Sequence, residues 1–188
     1  MIRKNSIKLA FLFIALTVIS CTDNNKFTIE KGKVGEVTAE TTVKQLESIF
    51  KNDSIVTRYS EGALGDDYFQ DDDKFQIYEK GGKHLLTIIP KEQLDSTSTI
   101  KSIEIHDSRY KTENGINLNS RFSDINANNP NLRVESTLQS VTLFLDEINA
   151  TIAIDKEELG LRDFSTQNVS LEQIPDLAKM KSFVIWFD

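Results

Sequence analysis

The stretch TIKSIEIHDSRYKTENGINLNSRF at 99–122 closes one structural unit and opens another. Ile103 and Ile105 alternate with Ser102, Glu104 and His106, the period of a half-buried strand. Lys111 to Gly115 then breaks the strand, and Asn114-Gly115 is a strong turn signal. Ile116 and Leu118 open a short strand at 115–118, and Ser120 sits as a helix N-cap before Phe122 and Ile125. Both ends of the stretch have counterparts elsewhere. IKSIEI at 100–105 returns as MKSFVI at 180–185, and the approach to the second helix echoes Thr41 to Leu46.

Working outward, the first unit (34–108) reads as strand Val34 to Thr38, then a helix capped by Thr42 and Gln45 with Val43, Leu46, Ile49 and Phe50 on one face. A strand at Ile55 and Val56 and a hairpin around Lys80-Gly81-Gly82-Lys83 follow, before strand 99–107. The second unit (109–188) repeats the order: strand 115–118, helix 121–127, strand 132–136, a hairpin around Asp146 to Asn149 and strand Lys181 to Phe187. Val43, Leu46 and Val56 match Phe122, Ile125 and Val134 (122 − 43 = 79, 134 − 56 = 78), whereas Ile89 matches Ile154 (154 − 89 = 65). The shifts leave an insertion at 60–73 in the first unit and one within 161–175 in the second. The expected fold is α+β: two tandem related β-α-β-β-β units with antiparallel sheet and short helices packed on it.

Residues 1–20 stand apart. Arg3, Lys4 and Lys8 precede an apolar run from Leu9 to Ile19, too short to span a bilayer and of the form of a secretory signal. The run ends in Val18-Ile19-Ser20-Cys21, which resembles a bacterial lipobox. That resemblance implies acylation at Cys21 and cleavage before it. Cys21 is the only cysteine, so no disulfide supports the fold. Residues 21–33 read as a polar tether, and Thr22 in place of aspartate favours the outer membrane, on its periplasmic or its surface face. Loss of the leader removes three basic residues and leaves 22 − 3 = 19 Lys and Arg against 29 Asp and Glu, a net charge of −10. Such a chain repels phosphate backbones and is not expected to bind nucleic acid.

Candidate chemistry is sparse. Glu61, Asp66, Asp67, Asp71, Asp72 and Asp73 crowd the first insertion; they lack the ligand order of a calcium loop and read as a solvated acidic loop, with docking of a basic partner as the functional alternative. His84 and His106 are the only histidines, too few for a zinc site, and His106 reads as a partly exposed strand residue. Trp186 matches His106 and is expected in the core. No nucleophile elbow, phosphate loop or HExxH is present, so neither catalysis nor a cofactor or metal is expected.

VGEVTAET at 34–41, IKSIEIHDS at 100–108, GINLNSRFSDI at 115–125 and MKSFVIW at 180–186 together resemble a family of uncharacterised lipoproteins of enteric bacteria, a domain of unknown function under the envelope-stress factor sigma-E. The resemblance implies an envelope location and no activity. Members of that family carry a cysteine pair in the second half, which this chain lacks. More loosely, tandem small units on a lipid anchor look like outer-membrane assembly lipoproteins and β-lactamase-inhibitor-like folds. The reading that follows is an envelope lipoprotein, a non-enzymatic protein-interaction module at the outer membrane. The alternative is a small-ligand-binding lipoprotein with a pocket between the two units.

Overall fold

The alternating apolar positions of six strands meet on one side of a single eight-stranded sheet. The structure is a computed structural model that describes residues 26–59, 72–162 and 165–187. Its strands are β1 (Thr28–Glu30), β2 (Lys33–Val34), β3 (Val37–Thr38), β4 (Ser54–Arg58), β5 (Lys74–Tyr78), β6 (His84–Pro90) and β7 (Ile100–Ile105). There follow β8 (Lys111–Thr112), β9 (Arg133–Ser136), β10 (Ser140–Leu145), β11 (Ala150–Asp155) and β12 (Ser182–Trp186). The helices are α1 (Val43–Ile49) and α2 (Phe122–Ala127). The large sheet runs β4-β5-β6-β7-β12-β11-β10-β9, antiparallel throughout, and a small mixed sheet runs β3-β2-β1-β8.

Ile77, Leu86, Ile88, Ile103, Phe183, Ile185, Ile152, Ile154 and Leu143 are wholly buried on the core side, so the period-2 signal was a true strand signal. That face is closed by Ile29, Val34 and Val37 of the small sheet as well as by the helices. Gly35 makes the β2–β3 turn at φ +57, where a Cβ would come within 2.5 Å of the Lys26 carbonyl oxygen, so only glycine fits.

The α+β expectation is overturned: the fold is mostly β. The helices have only 7 and 6 residues and bury Leu46 in one and Phe122 and Ile125 in the other. Two turns of helix can aim only one or two side chains inward, too few for a covering layer. The helix starts do behave as their caps imply. Thr42 N donates to Gln45 Oε1 at 2.8 Å, and one residue later than expected, Arg121 N donates to Asp124 Oδ2 at 2.8 Å. Free amides at each start reach loop carbonyls: Val43 to Ser98, Phe122 to Ala178, both at 3.0 Å. The expected strand at 115–118 is absent. Ile116 buries itself from a turn whose N–H donates to Thr112 Oγ1, and the strand lies earlier, at β8.

The sheet has its seam between β7 and β12, with β4–β7 on one side and β12–β9 on the other. Glu104 faces Val184 there, Ile103 faces Ile185 and Ser102 faces Trp186. Since 104 + 80 = 184, the first of these pairs joins two positions that IKSIEI and MKSFVI place in correspondence. Next to the seam, Ile88 pairs Ile103 and Ile152 pairs Phe183, so the two hairpins correspond at 152 − 88 = 64. The sequence matching gave 65. A bulge between Ile89 and Pro90 absorbs the extra residue, and a slip of one reverses the face that each side chain meets.

Candidate functional site

The face of the sheet away from the core carries a row that crosses all eight strands: Val56, Gln76, Thr87, Glu104, Val184, Thr151, Phe144 and Arg133. A bulge at Leu85 lets both leucines of β6 turn inward and puts His84 on this outer face beside Tyr78. Tyr78 stacks on His84 at 4.6 Å, and His84 stacks on His106 at 3.8 Å between ring centres. His84 Nε2 lies 3.1 Å from the Leu86 carbonyl, which can only accept, so the proton of His84 sits on Nε2. Thr87 Oγ1, 3.2 Å from that nitrogen, then donates to His106 Nε2 at 2.9 Å. Burial first, and the neighbouring His84 second, push the His106 imidazole down to about 4. His106 is therefore neutral at pH 7, and Glu104 Oε2 stands 3.7 Å from its Nε2. Beside them Gln76 Oε1 is buried without a hydrogen-bond partner, an acceptor open to a donor.

At the end of β7 the chain turns through a charge network that sequence reasoning missed. Asp107, buried, accepts from Arg109 N and Nε at 2.9 Å each and pairs with Lys83 Nζ at 2.9 Å. Burial alone would raise its carboxyl; the Arg109 hydrogen bonds, then Lys83, overcome this and hold it at about 2. Arg109 also grips Glu79 through both guanidinium nitrogens at 2.9 Å and lies 4.4 Å over the Phe27 ring. Tyr110 meets Phe27 edge-on at 5.0 Å, and burial pushes its phenol upward. Phe27, Tyr110, Lys26, Phe50, Asp53 and Glu79 border a cavity of about 450 Å³. A second cavity, of about 300 Å³, lies among Asn129, Leu132, Phe144 and Asp146. The first is bordered by residues on both sides of the 108/109 boundary, and neither is bordered by β7 or β12. The only signal for the network was acid–base alternation at 104–111, which does not say what the charges meet.

Lys156 is fully buried. Its Nζ donates to the carbonyls of Ser165 and Gln167, so the second insertion is held to the end of β11 by a cation. Of the acidic stretch, Asp72 pairs with Lys101 at 3.0 Å, while Asp73 is buried and accepts from Leu94 N at 2.7 Å. Asp73 is thus engaged within the fold. Glu61, Asp66, Asp67, Asp71, the leader and Cys21 lie outside the described residues. Trp186 corrects another expectation. It is 36% exposed on the outer face, where its Nε1 donates to Thr151 Oγ1 at 3.0 Å. The Thr28–Glu30 strand falls inside the stretch read as tether. Among the described residues no group of three or more His, Cys, Asp or Glu is placed to hold a metal ion, and no helix is long and apolar enough to cross a membrane.

Comparison with known proteins adds the fold. No family model matches the chain, and no curated protein matches it. Among solved structures it is similar to the crystal structure of the uncharacterized protein yfeY from Escherichia coli, with a TM-score of 0.52 and 17% identity over 86% of this chain and 99% of that one. At that identity the likeness is one of fold, and because the neighbour is uncharacterized it brings no activity with it.

Proposed function

We propose that the chain is a lipid-anchored envelope protein whose β-rich domain serves as a non-enzymatic protein-interaction module at the outer membrane. The anchor reading rests on the basic start, the apolar run and Cys21 directly after it. The interaction reading rests on one observation, the outer face of the large sheet. Val56 is 46% exposed and Trp186 36% exposed on a face whose ring positions are fixed by hydrogen bonds and stacking. Rigid, half-exposed aromatic and apolar side chains lose little entropy when covered, which suits a protein partner. The two histidines are engaged with Thr87 and with each other, an arrangement that supports a structural role.

Two measurements test this. Cys21→Ser should abolish incorporation of a palmitate analogue and leave unprocessed precursor; full labelling of the variant ends the anchor reading. A photo-crosslinking residue replacing Trp186 should give discrete adducts in native envelopes, and one replacing Leu94, 70% exposed in the loop after β6, should not. Equal adducts from both positions, or none from Trp186, overturn the interaction reading. The cavity beside Tyr110 supports a second reading, small-ligand binding, at a place other than the seam. A thermal-shift screen separates the two, since a ligand at 100 times its dissociation constant adds about 2.7 kcal/mol.

A further inference from the structure

Resting on the reading of Cys21 as the acylated residue, we infer that a short tether holds one particular end of the domain against the lipid bilayer: the end that carries Lys26, the C-terminus of α1 and the β5–β6 turn. The sequence alone allows a tether up to residue 33. The structure shortens it, because Lys26 already pairs with Asp53 and Phe27 is already packed between Tyr110 and Arg109. Only Thr22 to Asn25 separate the anchor from the fold. Five Cα–Cα steps, fully extended, reach roughly 18 Å. A domain of about 160 residues has a gyration radius near ~15 Å and a diameter of roughly 40 Å. The tether reaches less than half the domain's diameter, so the far end of the domain cannot be turned to the bilayer.

The contacts of Lys26 say which surface is then nearest the headgroups. Asp53 follows α1, so Lys51 and Asn52 lie near Lys26 and border the same cavity. Phe27 leads through Arg109 to Glu79, and so to the turn Glu79-Lys80-Gly81-Gly82-Lys83. Gly81 and Gly82 both have positive φ and open space around them, Lys51 and Lys80 are exposed, and Lys83, also exposed, is already paired with Asp107. These lysines stand out on a chain whose mature charge is −10, and they suit the phosphates of anionic headgroups. The cavity of about 450 Å³ beside Tyr110 therefore opens at the membrane end. From that turn the seven residues of β6 run about 20 Å in the opposite direction, to the loop that holds Leu94.

The single thiol at Cys21 lets the test be built without cellular lipidation. The chain Cys21–Asp188, with Trp186→Phe and either Lys80→Trp or Leu94→Trp, is coupled through Cys21 to maleimide lipid in phosphatidylethanolamine–phosphatidylglycerol vesicles that contain a dansyl headgroup acceptor. Energy transfer should be several-fold stronger from the Lys80→Trp variant. Inserting about twenty Gly and Ser residues after Asn25 should bring the two variants toward equality. Equal transfer with the native tether, stronger transfer from Leu94→Trp, or a contrast untouched by the insertion overturns the inference. Because the coupling is chemical, these outcomes are independent of the palmitate result for Cys21→Ser, and the two readings fail separately.

Discussion

The two sides of the seam each set a threonine hydroxyl against a ring nitrogen, donating to one ring and accepting from the other. On the first side Thr87 of β6 bonds the imidazole of His106, 2.9 Å away; on the second, Thr151 of β11 bonds the indole of Trp186 at 3.0 Å. The threonines differ by 151 − 87 = 64 and the rings by 186 − 106 = 80, the offsets that the sheet register sets for β6 with β11 and β7 with β12. Around these two bonds the surroundings diverge. The first side adds His84 and Tyr78 and makes a three-ring stack beside a buried carboxylate network. The second side adds Phe144 with Arg133 stacked 4.8 Å over it, and leaves Trp186 at the surface. Backbone register thus fixes where a ring can stand, and neighbouring strands decide whether it is stacked among other rings or left at the surface.

The largest effect expected from this comparison is in the core. Ile105 and Ile185 are 2% and 0% exposed at corresponding places in β7 and β12. Truncation of either to Ala should cost about 2–5 kcal/mol, from lost transfer energy and the cavity left behind. Urea titration of both variants checks it. If one is costly and the other neutral, the two sides are not packed alike.

A second pair breaks the likeness deliberately. Lys91 and Lys156 share the pattern Ile-x-Lys-Glu at 89–92 and 154–157, yet Lys91 is exposed and Lys156 is fully buried. Lys156→Ala strands two carbonyls and empties the space of three methylenes and the amine, for about 2–4 kcal/mol. Lys91→Ala should stay within about 0.5 kcal/mol. Equal losses would mean that the second insertion needs no cation to hold it.

These cases show what the sequence could and could not say. Strand positions and the two hairpins were legible because period-2 burial is written directly in residue order. The offset of 65 was one too many because a bulge changes register without changing composition. Trp186 looked like core because its size argues for burial, while its face is set by Ser102 across the seam. The Asp107–Arg109–Glu79 network left only the acid–base alternation at 104–111 as its trace in the sequence. It joins residues 30 apart through a turn whose geometry no local pattern encodes.

The third effect is a pH dependence confined to the first side. The folded His106 value of about 4 lies below the usual 6.5, so between these values the unfolded chain holds a proton that the folded chain refuses. Stability is intact above about pH 6.5 and falls as the pH drops toward 4, by about 2–3 kcal/mol in all. The groups that face His106 are His84 on β6, Glu104 on β7 and the Thr87 hydroxyl. His106→Phe should flatten the urea-midpoint profile in that window, and Trp186→Phe should leave its slope unchanged. An unaltered slope in His106→Phe would assign the acid sensitivity elsewhere.

The smallest effect separates the two threonines themselves. Thr87 is 7% exposed and its hydroxyl serves two imidazoles, so Thr87→Val leaves His106 Nε2 without its donor in a buried place. That should cost about 1–3 kcal/mol and should raise the His106 titration, because the neutral form loses a partner. Thr151 is only half-buried and accepts one bond from an indole whose N–H can turn to water. Thr151→Val should therefore cost no more than about 1 kcal/mol, with valine's preference for strands offsetting part of it. Its readout is Trp186 fluorescence, which should shift as the ring loses its fixed pose. If Thr151→Val destabilises as much as Thr87→Val, the indole is held more tightly than its exposure implies. In that event the rigidity of the outer face, on which its use as a docking surface depends, is greater on the second side of the seam than on the first.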